Sequence, residues 1–149
     1  PWSDSQKSAV QSVLQLYRNV ANVDFKEVSD PSQADDIERL TTSNHPYLGA
    51  NLGLHEAPDP DNYFEPLLGY YNIAEPTIVH PVQGNFGFMV FIHELGHLLG
   101  LAHPHDGGGD GQLFPGVTLN DSSDIGDFGL NQGIWTVMSY NDGWNGCAP

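Results

Sequence analysis

The chain of 149 residues contains few basic side chains and a single cysteine. Lysine and arginine together number 4, against 19 aspartates and glutamates, so the formal net charge is −15. Nucleic acids and anionic membranes both require positively charged patches, so this composition argues against either as a partner. The lone Cys147 excludes a disulfide within the chain. No apolar run approaches the roughly 18 residues of a membrane span.

What the sequence does contain is enough apolar material for a folded domain. Hydrophobic residues make up 39% of the chain and aromatic residues 11%. A chain of this length can form one domain with a sizeable core. The acidic excess suits a secreted protein, and bound calcium would relieve its self-repulsion. The sequence shows no signal peptide and begins at Pro1, as expected of a processed, mature protein.

The most informative stretch has the pattern His-Glu-x-x-His-x-x-Gly-x-x-His. On a helix, His93 and His97 project from one face, one turn apart, and can bind one zinc ion. Gly100 can end that helix, which lets His103 approach the same ion. Three nitrogens and one water form an open, catalytic zinc site. Glu94 can then accept a proton from the activated water as general base.

A second informative segment, residues 136–140, lies downstream of the histidines. Met138 is predicted to form an apolar floor beneath the zinc, although a methionine that fills a gap in the core is the simpler alternative. Tyr140 could turn its phenol toward the metal. His105 competes with His103 for the third ligand position, and the spacing after Gly100 favours His103.

These two segments together resemble the metzincin zinc metalloproteases, and the serralysin family in particular. The His103-Pro104 pair and the Met-Ser-Tyr turn that ends at Tyr140 favour serralysins over other metzincins. Weaker similarity extends to residues 69–72 and 23–28. The resemblance implies that Tyr140 is a further zinc ligand, and that its phenol leaves the metal to stabilise the oxyanion.

The resemblance also implies an α+β (α/β metzincin) fold, with an N-terminal helix and an active-site helix beside a twisted, mostly parallel sheet. One catalytic domain is expected over residues 1–149. Its upper part would be residues 1–103. Residues 104–149 would form a lower part that carries the Met-turn and closes the cleft from below.

Two departures from the serralysin pattern concern the C-terminal half. The family's C-terminal β-roll is built from glycine-rich repeats, and only residues 107–111 resemble one copy. A single copy cannot stack into a solenoid, so a flexible loop is expected there. The chain also ends soon after Tyr140, where the family continues into a helix. Either the fold is reduced or the chain is cut, and a separate C-terminal peptide or a propeptide is a candidate partner.

Hydrophobic spacing and breaker residues predict the secondary structure. Ser3 and Gln6 form a capping box ahead of an amphipathic helix with a buried stripe that includes Val20. An edge strand or a plain loop is predicted over residues 48–54. The other predicted elements are a helix over residues 4–21, strands over 23–28, 35–41, 67–74 and 77–80, and an active-site helix over 86–101.

Calcium is a candidate second cofactor at two places. Residues 59–62 cluster oxygen ligands, and the loop over residues 104–134 carries five aspartates. Solvated turns are the alternative at both. His45, His55 and His80 are interpreted as ordinary surface or core histidines.

The function predicted from these features is that of a secreted zinc-dependent endopeptidase. It would hydrolyse peptide bonds in protein or peptide substrates with zinc-activated water and Glu94 as the base. Two alternatives remain open. The chain could be a catalytically weak or degenerate metzincin that acts as a peptide-binding module, or a nicked fragment of a larger protease.

Overall fold

The computed structural model describes residues 1–59, 61, 65–107 and 112–143. It divides into two compact units, Pro1–Leu99 and Gly100–Pro149. The predicted glycine-rich loop, apart from Gly107, lies outside the described residues. So do Cys147 and two members of the first calcium candidate, Pro60 and Asn62.

The first unit begins with helix α1, Asp4–Arg18. The predicted capping box is confirmed, since the Ser3 hydroxyl accepts from the Gln6 amide at 3.2 Å and the Gln6 side chain accepts from the Ser3 amide at 3.0 Å. The helix ends before the predicted residue 21, and Val20 is 84% exposed rather than part of the buried stripe. Its buried face is carried by Gln6, Ala9 and Val13.

Three strands form one mixed sheet, in the order β1-β3-β2. Their bounds are Asp36–Thr41 for β1, Gly53–His55 for β2 and Leu67–Asn72 for β3. β1 runs parallel to β3, whereas β2 runs antiparallel to it. The predicted strands 35–41 and 67–74 are thus confirmed, although β3 ends at Asn72. Of the segment 48–54, Gly53 and Leu54 lie in the edge strand β2, which continues to His55. The α+β class is confirmed, but the sheet is mixed rather than mostly parallel.

Residues 23–28, predicted as a strand, adopt no regular structure. Alternating side chains alone do not make a strand, because a strand needs a hydrogen-bonded neighbour. Here the segment is bound instead by the end of α1. Arg18 forms a salt bridge to Asp24 at 2.6 Å, and its guanidinium lies over the Phe25 ring at 5.6 Å.

The predicted strand 77–80 is also wrong, because a short helix, α2, spans Pro76–Val79. Pro76 occupies the first helical position, where its fixed φ and missing N–H favour a helix. Ile78 of α2 is fully buried, and the Gln6 side chain donates to its carbonyl oxygen at 3.1 Å. α2 is therefore held against the N-terminal part of α1.

Helix α3, Phe86–Leu98, confirms a helix at the predicted place, although it ends three residues before the predicted residue 101. The Asn85 side chain caps it by accepting from the Phe88 amide at 2.9 Å. Leu99 is the C-cap, and Gly100 follows with φ +85°, so the glycine ends the helix as predicted.

The core of the first unit lies between the three helices and the sheet. Tyr71 of β3 stacks on Phe91 of α3, with ring centroids 4.3 Å apart, and Trp2 meets the Tyr71 ring edge-on at 5.8 Å. The Tyr17 hydroxyl donates to the Ile92 carbonyl oxygen at 2.7 Å. α1 and β3 thus fix the turn of α3 that precedes the predicted zinc ligands.

The second unit consists mainly of turns, with a short 3₁₀ helix at Asp127–Gly129. Asn141 ties these turns together, because its side-chain amide donates to the carbonyl oxygens of Ser122 at 2.7 Å and Asn131 at 2.9 Å. Among all the described residues, no helix has the length and apolar character needed to cross a membrane.

Candidate metal centre

Helix α3 carries the first two predicted zinc ligands. His93 and His97 lie on successive turns with ring centroids 4.9 Å apart, in an edge-on arrangement. His93 is buried and His97 half-buried. The side chains of Phe91 and Leu95 are buried in the core, which holds the helix in place. The spacing of four residues thus brings the two imidazoles together, as the sequence predicts.

The third predicted ligand, His103, lies in the second unit beside an aspartate. The Nδ1 atom of His103 is in hydrogen-bond contact with Asp106 Oδ2. When Nδ1–H donates to this carboxylate, the lone pair of the neutral ring is on Nε2. Metal-binding histidines commonly have such a partner, which fixes the ring and raises its basicity. No local sequence pattern indicates this role for Asp106, one of the five aspartates in the loop over residues 104–134.

His93, His97 and His103 form a set of three side chains that could hold a metal ion. Imidazole nitrogen is a preferred zinc ligand, and a three-histidine set leaves a fourth position for water or substrate. The donor set, with Asp106 behind His103, therefore suits a catalytic zinc ion.

Glu94 is next to the first ligand on α3 and is buried, with 6% of the residue exposed. Burial raises the pKa of its carboxyl group to about 8. The positive charge and the backbone N–H of His55 act in the opposite direction, while the Glu38 carboxylate adds to the increase. A desolvated carboxyl group held in this way is suited to proton transfer.

The two predicted residues of the Met-turn segment differ in their exposure to solvent. Met138 is buried, at 3% exposure, and its amide donates to Thr136 Oγ1 at 3.2 Å. Tyr140 is 60% exposed, and its ring centroid lies 4.6 Å from that of His103. The Tyr140 ring thus lies beside that of His103 within the second unit. Its ligand role remains a prediction.

His105, the competing third ligand, stacks on His103 with ring centroids 5.1 Å apart. It is buried, and its burial together with the charge of His103 lowers its pKa. His105 is not a member of either metal-binding set found among the described residues.

A second set of titratable side chains lies in the sheet, where the sequence predicted only an ordinary histidine. His55 Nε2 lies 3.1 Å from Asp36 Oδ1 and 3.5 Å from Glu38 Oε1. Burial alone would lower the pKa of His55, but its contacts with the two carboxylates raise it to about 10. Burial raises the pKa of Glu38.

Calcium remains a prediction. In the described part of the 104–134 loop, Asp121 and Asp124 accept hydrogen bonds from nearby amides and hydroxyls. Asp121 contacts Ser123 at 2.6 and 3.0 Å, and Asp124 contacts Thr118 at 2.8 and 2.9 Å. These carboxylates are therefore already used to fix turns in the loop.

No protein-family model matches the chain. Among curated proteins, the chain is 31% identical over 152 aligned residues to a serralysin of Proteus mirabilis, covering 95% of the chain and 29% of that protein. It is 31% identical to serralysin C of Dickeya chrysanthemi, covering 91% of the chain and 29% of that protein. It is 29% identical to metalloprotease AprA of Pseudomonas entomophila, covering 93% of the chain and 27% of that protein.

The chain thus spans less than a third of the length of these curated relatives. The similarity nevertheless runs through nearly the whole chain. The chain is therefore similar, over nearly its whole length, to one segment of serralysin-type metalloproteases.

Proposed function

We propose that the chain is the catalytic part of a secreted zinc-dependent endopeptidase that cleaves protein or peptide substrates. The observation that carries the proposal is the three-histidine set with Glu94 next to its first member. Two further findings support it: the contact of Asp106 with His103, and the similarity to serralysins and to a metalloprotease.

In this proposal His93, His97 and His103 bind zinc through ring nitrogens. Bound zinc would lower the pKa of its water to about 7 and polarise the scissile carbonyl group. Asp106 holds the His103 ring in the tautomer that ligation requires.

Proton transfer is assigned to Glu94. Its carboxylate accepts the proton of the attacking water and then delivers it to the amine that leaves. The Tyr140 phenol donates a hydrogen bond to the oxyanion that develops on the carbonyl group. Met138, buried within the second unit, is assigned the role of the apolar floor and takes no part in proton transfer.

The secreted location and the substrate class rest on the serralysin likeness and the acidic composition of the chain. A catalytically weak or degenerate peptide-binding module, or a nicked fragment of a larger protease, is the alternative. We expect the purified chain to hydrolyse casein. This activity should be lost after dialysis against a zinc chelator and should return when zinc is added back. A chain that binds zinc and peptide without cutting would support the alternative, and one without zinc dependence would contradict the proposal.

A further inference from the structure

The pairing register of the sheet places three residues in one row across its strands. Gly69 of β3 is paired with Glu38 of β1 on one side and with His55 of β2 on the other. A Cβ atom at Gly69 would lie 1.9 Å from Glu38 Oε2 and 2.7 Å from His55 Cδ2. The space above the glycine is therefore filled by the carboxylate and the imidazole, which meet over the central strand.

Asp36 completes this group from the same face of β1, two residues before Glu38. Each of Asp36, Glu38 and His55 offers one ligand atom, and these atoms lie within 4.8 Å of one another. Ligands about 2.0–2.2 Å from a tetrahedral zinc ion are about 3.4 Å apart. The two distances from His55 Nε2 to the carboxylates, 3.1 and 3.5 Å, lie on either side of that value.

The second ring nitrogen of His55 has the partner that a metal ligand needs. Nδ1 lies 2.7 Å from the carbonyl oxygen of Glu56, which can only accept, so Nδ1 carries the proton. Nε2 is then directed at the carboxylates. A backbone carbonyl behind the distal nitrogen is a usual arrangement for histidines that bind metals.

One carboxylate oxygen of this group lacks a partner. Glu38 Oε2 is buried and has no hydrogen-bond partner within the described part of the chain. A buried polar atom without a partner is costly unless an unseen water or ion satisfies it. The His55 side chain is fully buried, whereas those of Asp36 and Glu38 are 22% and 15% exposed. An ion could therefore enter from the carboxylate side.

We propose that Asp36, Glu38 and His55 form a second metal site, distinct from the three-histidine set, that binds a divalent transition-metal ion such as Zn²⁺. A nitrogen donor with two carboxylates suits zinc and its neighbours, whereas calcium prefers oxygen ligands alone. The ion would displace the second proton of His55 from Nε2, and one divalent ion then neutralises the two carboxylates. The ion would join β1 to β2 across β3 and so fix the edge strand.

The test uses the full chain with His93→Ala and His97→Ala, which removes the helical ligands of the proposed catalytic site. After dialysis against a chelator, zinc is titrated back and counted by calorimetry and elemental analysis. We expect about one zinc per chain and an increase of several degrees in Tm with zinc. Adding Glu38→Gln should weaken binding by at least about 100-fold and abolish the zinc-dependent increase in Tm.

Glu56→Gln is the matched control. Its carboxylate accepts from the Leu68 amide at 3.0 Å, outside the cluster, so this variant should bind zinc as its parent does. If Glu38→Gln is unfolded by circular dichroism, Asp36→Asn takes its place. The proposal would be overturned if the chain without His93 and His97 binds no zinc. It would also be overturned if adding Glu38→Gln leaves the zinc affinity of that chain unchanged. Neither result depends on proteolysis.

Discussion

The side chain of Glu94 fills the space beside Gly53. A Cβ atom at residue 53 would lie 2.6 Å from Glu94 Cγ and 2.7 Å from its Oε1 atom. Gly53 begins the edge strand β2, whereas Glu94 lies on α3. The glycine therefore determines where the proposed general base can lie.

Replacement of Gly53 by alanine should impair turnover while leaving the zinc ligands in place. The added methyl group must displace the Glu94 carboxylate, and a misplacement of about 1 Å can cost about 100-fold in rate. We expect kcat for casein or a peptide to fall about 10- to 100-fold with an unchanged zinc content. Gly107→Ala is the control, because among the described residues its methyl group would meet Leu119 Cδ1 alone, at an ordinary 3.6 Å. Parental kcat in Gly53→Ala would show that the contact does not position the base.

Gly87→Ala should destabilise the first unit. A Cβ atom at residue 87 would lie 1.9 Å from the Thr77 carbonyl oxygen, which belongs to the backbone of α2 and cannot rotate away. Overpacking of this kind costs roughly 1–3 kcal/mol in the free energy of unfolding. Urea unfolding followed by circular dichroism measures the loss. Gln11→Ala, on the exposed face of α1, should change stability by no more than about 0.5 kcal/mol. Equal stability of the two variants would mean that α2 and α3 are not packed this closely.

Tyr140→Phe tests the phenol that is assigned to the oxyanion. Loss of one oxyanion donor lowers kcat by about 100- to 1000-fold in enzymes that depend on it. We expect a decrease of that order with little change in KM, because the hydrogen bond forms only as the reaction proceeds. Tyr47→Phe, at a residue that is 71% exposed, should keep parental kinetics. A kcat within twofold of the parent for Tyr140→Phe would remove the phenol from the mechanism.

Asp124 should make the second unit sensitive to acid. Its carboxylate accepts from the Gly126 amide at 3.0 Å and from the amide and hydroxyl of Thr118, and these hydrogen bonds lower its pKa below 3.8. Since the folded pKa is depressed, the stabilisation is complete above the unfolded value and is lost as the pH falls through the folded value.

The corresponding variant is Asp124→Asn, compared with the parent by thermal unfolding across a pH series. The variant should have the lower Tm at neutral pH, and the difference should shrink as the parent carboxyl is protonated. Asp35→Asn, an exposed side chain of the first unit, is the control. A difference in Tm that does not change with pH would contradict the assignment.

Local chemistry made part of the fold predictable from the sequence. The capping box at Ser3, the four-residue spacing of His93 and His97 and the helix stop at Gly100 all act within one or two helical turns. Such features depend on few neighbours. The same holds for β1 and β3, whose β-forming residues are bounded by breakers.

The errors arose where distant contacts or backbone restrictions decide the outcome. Residues 23–28 alternate like a strand but are bound by Arg18, and residues 77–80 are rich in β-branched residues but follow Pro76, which starts a helix. For His55 the sequence predicts only an ordinary histidine. Its approach to Glu38 depends on a register across Gly69 that no local pattern reveals.

The most direct test of the proposed function is the rate of casein cleavage by zinc-loaded Glu94→Gln, measured beside the parent chain at equal zinc content. The amide keeps the shape of the side chain but cannot accept the proton of the attacking water. The account predicts a rate lower by about 10²- to 10⁴-fold, the usual contribution of a general base. Cleavage at the parental rate with zinc bound would contradict it.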